Sequence, residues 1–146
     1  MILYLGSSSL IKLYIDETHS DIVREWVKQA EIVATCRVAF TEVISAIDTR
    51  YRNNDISKKD YELISKGFSE DWGNFATVDF DEFETGRLIR KYGLKRLDAI
   101  NLSAAKLIKN DREDISLYFS SASIELCRAA AAEGLRVLTF IANECR

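Results

Sequence analysis

Two acidic side chains, Glu42 and Asp98, are the first candidates for chemistry. Glu42 lies opposite the Phe40/Ile44/Ile47 stripe of a helical stretch, and its helical neighbours are Val38, Ala39, Ala46 and Thr49. A carboxylate among small apolar residues either is solvated or points into a cleft, poised to bind a cation. Asp98 opens a helix, where Asp also serves as a cap or dipole partner. Asn101 shares its face one turn on. A carboxylate and an amide at i, i+3 can hold a hydrated metal ion. The chemistry open to such a set is metal-assisted phosphodiester cleavage, in which the ion polarises the phosphate and lowers the pKa of an attacking water. That chemistry needs several oxygens converging at about 2.1 Å, and two carboxylates are a thin set for it.

Basic residues run straight into Asp98. From Gly86 to Arg96, "GRLIRKYGLKR" carries Arg87, Arg90, Lys91, Lys95 and Arg96 with no acid. Such a run is a solvated helix end favoured by the dipole, or a phosphate-contacting rim beside the carboxylates. Other chemistries find little support. His19 is the single histidine, so no histidine metal cluster can form. The serines at 7–9 and 120–123 lack a nucleophile elbow and an evident histidine base, which argues against serine-hydrolase chemistry. No G-x-G-x-x-G or G-x-x-x-x-G-K phosphate loop occurs.

The elements that must position these residues read as alternating strands and helices. "MILYL" is a short apolar strand candidate, and "SSLIKLYIDE" begins a helix with a serine available as its cap. "SDIVREWVKQA" has helical spacing, "EIVAT" reads as a second strand, and Val38–Arg52 is a strong helix striped by Phe40, Val43, Ile44, Ile47 and Tyr51. "SKKDYELISKGFSEDW" follows with Ser57 and Asp60 spaced as a capping box. "FATVDF" is a third strand candidate. "DEFETGRLIRKYG" is a helix with acids at its start, bases late and Gly93 as its stop. "RLDAINLSAAKLIKN" is a helix with small residues on one side. "DISLYFSS" is a strand, "SIELCRAAAAEG" a helix ended by Gly134, and "LRVLTF" a final strand. This order implies a three-layer α/β domain with a mostly parallel sheet. Ligands in such sheets bind beyond the carboxyl ends of the strands. Gly6 and Ser120–Ser123 therefore belong on the functional edge.

The bulk composition agrees. The chain has 146 residues, 47% apolar and 29% charged, with no Pro and 6 Gly, which suits one helix-rich domain spanning 1–146. A formal net charge of -3 excludes a wholly basic nucleic-acid binder, so any polyanion contact must be local. Cys36, Cys127 and Cys145 are odd in number and widely spaced. That argues against a zinc site or disulfide framework and for a reducing, cytoplasmic setting. No run approaches the roughly 18 apolar residues of a membrane span, and the start lacks the basic leader of a signal peptide.

Four blocks in order, "MILYL-x-SS-x-LIKLY", "FTEVISAI", "RLDAINLSAA" and "LYFSSASIELCRAAAAEGLRVL", resemble the PIN-domain proteins, especially VapC-type toxins of toxin–antitoxin modules. The resemblance covers nearly the whole chain. It implies a parallel sheet flanked by helices, with acidic residues at the carboxyl edge that bind Mg²⁺ or Mn²⁺ and cleave RNA. It also implies a homodimer and an antitoxin partner. Carried over residue by residue, two family acids match Glu42 and Asp98, while the first falls on Gly6 and the last on Ser123. The common histidine after "DAI" falls on Asn101, which leaves that residue as a weak ligand.

Three expectations follow. The first is a PIN scaffold with a degraded metal site, inactive or very weak, that retains RNA or partner-protein binding. The second is an active Mg²⁺- or Mn²⁺-dependent ribonuclease using Glu42 and Asp98. The third is a structural or dimerisation module without a nucleic-acid role. The cofactor is Mg²⁺ or Mn²⁺ in the second case and none in the third.

Overall fold

A computed structural model describes residues 1–112 and 114–140. Its centre is a five-stranded sheet, parallel throughout, in the order β3-β2-β1-β4-β5. The strands are β1 (Ile2–Leu5), β2 (Ile32–Cys36), β3 (Ala76–Val78), β4 (Leu117–Ser120) and β5 (Arg136–Val137). Each strand falls on a stretch expected from the sequence, although β2 runs one residue further, to Cys36, and the last shrinks to two residues. The helices are α1 (Ser7–Leu10), α2 (Ser20–Gln29), α3 (Ala39–Arg52), α4 (Lys58–Asp71), α5 (Glu82–Tyr92), α6 (Arg96–Asp111) and α7 (Ile124–Ala132).

Strand alternation explains the layers. In β1, Leu3 and Leu5 face one side and Tyr4 the other, and all three are fully buried. A central parallel strand is covered on both faces, so it reads as a continuous apolar run. Leu3 and Leu5 pack with Leu10, Val23, Val43, Ile47 and Phe68 from α1 to α4. Tyr4 packs with Leu88, Leu102, Phe119 and Leu126 from α5 to α7 and β4. Its ring stacks on Phe119 with centroids 5.4 Å apart. Each such side chain contributes about 2 kcal/mol by burial. Truncating Phe119 to Ala would open a cavity on that face costing about 3–5 kcal/mol.

The helix ends follow local chemistry. Ser57 caps α4 by accepting from the Asp60 amide at 3.1 Å, and Asp81 caps α5 by accepting from the Glu84 amide at 2.7 Å. Gly93 closes α5 in the left-handed region, with φ 67°. One end departs from expectation. No serine caps α1: Gly6 holds the cap position without a side chain, and α1 passes after Leu10 into a 3-10 turn over Ile11–Leu13. The serine hydroxyls there are engaged elsewhere.

The chain winds over one sheet face from β1 to β3, then crosses to the other for α5, α6 and α7. The reversal falls between β1 and β4, and a crevice at their carboxyl ends results. No helix among the described residues is long and apolar enough to cross a membrane. Cys36 and Cys127 are buried, and Cys145 lies outside the described residues.

Candidate active-site cleft

The crevice is a cleft of about 530 Å³. Gly6, Ser7 and Ser8 reach it from the end of β1, Glu42 from α3, Lys95 to Asp98 and Asn101 from the start of α6, and Ser121 from the end of β4. Each comes from a strand end or a helix first turn, where backbone geometry is held by neighbouring ladder bonds. The Gly6 amide donates to the Ser120 carbonyl at 2.8 Å and extends the β1–β4 pairing to the cleft floor.

Glu42 sits in the first turn of α3. The Ser7 hydroxyl donates to its Oε1 at 2.8 Å. Burial raises the Glu42 pKa, the Ser7 bond partly offsets this, and the nearby charge of Asp98 raises it further. Asp98 sits in the first turn of α6, three residues past the Lys95 cap position, so it is not itself the cap. The Ser123 hydroxyl donates to its Oδ2 at 3.3 Å. Burial raises the Asp98 pKa too, while the Ser123 bond and the charge of Lys95 oppose the rise and Glu125 adds to it. Two half-buried carboxylates thus face one space.

Asn101 is buried in the cleft wall at 3% exposure, and both ends of its amide are engaged. Its Oδ1 accepts from the Tyr4 hydroxyl at 2.8 Å, and its Nδ2 donates to the Leu97 carbonyl at 3.0 Å. The floor is a network of hydroxyls. Ser9 and Ser120 share a buried bond of 2.9 Å, and Ser8 and Ser121 one of 3.2 Å. Ser8 also accepts from the Ala122 amide, and Ser121 from the Ser123 amide. Ser123 closes the circuit by capping α7 at the Leu126 amide.

Gly6 is not there for its conformational freedom. Its φ of -62° and ψ of 157° are open to any residue. A Cβ at this position would meet the Ser120 carbonyl oxygen at 3.3 Å and the Ser121 Cβ at 3.5 Å. Restoring a side chain therefore asks a neighbour to give by a few tenths of an ångström.

The basic run divides in two. Lys95 and Arg96 line the cleft. Arg87 and Lys91 instead bind Glu133, which also accepts from Tyr92 and, at 2.7 Å, from Lys106. Arg90 is exposed. The Glu133 knot escaped sequence reasoning. Its one signal is local: a Glu beside the C-terminal Gly of a helix opposes the dipole and calls for cations from elsewhere. His19 lies away from the cleft, stacked on Phe140 with centroids 4.9 Å apart.

Among the described residues, no third Asp, Glu, His or Cys joins Glu42 and Asp98 in a metal-ligating group. Two carboxylates, neutral hydroxyls and an amide whose oxygen is taken do not by themselves fit the six-oxygen cage of a divalent cation.

No family model matches the chain. Among curated proteins, it is 22% identical over 139 residues to Ribonuclease VapC45 of Mycobacterium tuberculosis, covering 90% of this chain and 96% of that one. Among solved structures, PAE2754 from Pyrobaculum aerophilum superposes with a TM-score of 0.65 at 17% identity, covering 94% of this chain and 92% of its own. The chain has a VapC-like PIN-domain fold. A further neighbour, VapBC2 from Rickettsia felis bound to a DNA fragment from its promoter, gives 0.63 at 15% identity over 97% of this chain and all of that one. In this PIN fold the cleft lies at the carboxyl edge of the sheet, where the resemblance places the family's acids.

Proposed function

We propose that this PIN-domain protein keeps the cleft of its ribonuclease relatives as a binding site, with metal-dependent RNA hydrolysis lost or very weak. The observation that carries the reading is what occupies the ends of β1 and β4. Gly6 offers no ligand, Ser123 offers a neutral hydroxyl, and Ser7 and Ser123 donate to the two acids that remain. Mg²⁺ gives up its water reluctantly and depends on ligand charge, so two missing carboxylates weaken its hold most. The rim supports binding. Lys95 and Arg96 have no ion-pair partner among the described residues and suit a phosphate backbone. An apolar shelf of Val38, Ala46 and Leu97 continues from the cleft past Glu42 and suits a segment of an antitoxin-like protein. A cytoplasmic homodimer is the expected assembly.

The second reading is an active Mg²⁺- or Mn²⁺-dependent ribonuclease. It is favoured by Glu42 and Asp98 facing the same cleft beneath two cations. Calorimetric titration with Mn²⁺, paired with cleavage of single-stranded RNA, separates the two. The expected result is no saturable binding at millimolar Mn²⁺ and no cleavage. Millimolar or tighter binding, with cleavage abolished by Glu42→Gln, overturns the binding-only reading. In the companion variant, Gly6→Asp with Ser123→Asp, Mn²⁺ binding should appear.

A further inference from the structure

Phe83 is the most exposed large apolar side chain among the described residues, 82% accessible on the first turn of α5. It does not stand alone. Gly86, Arg87, Arg90 and Lys91 follow at i+3, i+4, i+7 and i+8, so all five lie on one helix face and line one shallow depression. Thr85 and Leu88 on the opposite face are buried and anchor the helix. A Cβ at Gly86 would meet no atom within 4 Å, so the helix surface one turn on from Phe83 is open. Arg90 has no ion-pair partner among the described residues. Arg87 and Lys91 keep 44% and 53% of their side chains exposed even while paired to Glu133.

We infer that this face of α5 binds single-stranded RNA, with one base stacked on Phe83 and the flanking phosphates on Arg90 and Lys91. The chemistry favours a nucleic acid over a protein. A protein interface needs a contiguous apolar core, and the other exposed apolar side chains, Ile32, Leu63, Leu97 and Ile124, do not line this depression. A nucleotide needs only one aromatic plane and nearby cations, and every base has a π-face to offer. Glu82 is the one adverse charge at the edge. Lys95 and Arg96 follow Gly93 in the chain and line the cleft instead. The inference rests on the reading of the protein as an RNA binder but concerns a separate surface.

The test is fluorescence anisotropy with a fluorescein-labelled, mixed-sequence, single-stranded 12-nucleotide RNA. Phe83→Ala should weaken binding about tenfold, and Phe83→Trp should keep it, with indole fluorescence quenched on RNA addition. Arg90→Ala should flatten the salt dependence by about 0.7 in log–log slope. Lys95→Ala with Arg96→Ala probes the cleft rim separately. If only that double variant loses binding while Phe83→Ala stays within twofold, the α5 inference falls and the cleft reading stands. If Phe83→Ala loses binding and the cleft variant does not, the reverse holds. A change of Phe83→Ala in mass by light scattering, with RNA affinity intact, makes the ring a protein contact and overturns the inference. Absence of saturable RNA binding by the parent protein overturns it as well.

Discussion

Two pairs of carboxylates sit in opposite circumstances. Glu42 and Asp98 line the cleft, and burial raises both pKa values despite the hydroxyl bonds from Ser7 and Ser123 and the charge of Lys95 near Asp98. Glu84, in the first turn of α5, and Glu133, at the end of α7, are cross-linked by Arg87 and Lys106, and Lys91 adds a bond to Glu133. Glu84 is pulled down to about 2 by its Arg87 and Lys106 bonds, against a burial cost. Glu133 falls below the usual carboxylate range as bonds from Lys106, Tyr92, Arg87 and Lys91 outweigh the larger burial cost. One pair is arranged to hold the fold together. The other is left under-compensated at the carboxyl edge of the sheet, an arrangement that costs stability.

The contrast can be broken most forcefully at Glu133. Its side chain is 6% exposed, so Glu133→Gln leaves Lys106 with Glu84 as its one remaining ion-pair partner among the described residues and strips the knot of its centre. A loss of about 2 kcal/mol is expected, below the value for a fully buried pair because its other cations are half exposed. Thermal unfolding should show a midpoint lower by roughly 5 °C. Tyr4→Phe should cost about 1–2 kcal/mol in urea unfolding, because it leaves the buried Asn101 Oδ1 without its donor. Ser9→Ala, which breaks the buried hydroxyl pair with Ser120, should cost about 1 kcal/mol.

The smallest effect has the opposite sign. Glu42→Gln removes a charge the folded cleft penalises, so the variant should melt about a degree higher at pH 7. An acid with a raised folded pKa favours the fold below its ordinary value and loses that contribution as pH rises through the raised one. The gap between parent and Glu42→Gln should therefore close on acidification. Glu84 behaves in the other sense. Its contribution is present above its ordinary 4.5 and disappears as pH falls toward about 2. Glu84→Gln should thus lose its stability deficit across that lower window, and melting curves between pH 2 and 7 would separate the two.

Residues whose environment is set by near neighbours were legible in the chain. Ser57, Asp81 and Gly93 announce their helix ends because capping is decided within four residues. The parallel sheet follows from strands alternating with helices. Glu42 stood out as an acid on a small, apolar face and Asp98 as a helix-opening acid with Asn101 one turn on, and both reach the cleft. What escaped depends on distant contacts. Ser7 lies 35 residues from Glu42 and Ser123 lies 25 from Asp98, so no local rule connects a serine run to the carboxylates it serves. Arg87 and Lys91 read as part of one basic rim, yet they turn to Glu133, 46 and 42 residues away. The short α1 follows from the same cause, since its serines bond across the sheet rather than along the helix.

The Glu133 knot also bears on how long the folded molecule lasts. It joins the end of α7 to α5 and α6 across separations of 27 to 46 residues. Closing such loops costs chain entropy before any contact repays it, and we expect these bonds to form after the folding transition state, which refolding and unfolding rates of Glu133→Gln would check. Interactions absent from the folding transition state act on the rate of unfolding and leave the rate of folding almost untouched. Glu133 is then a clasp on lifetime: a chain without it should fold at the same speed and come apart sooner.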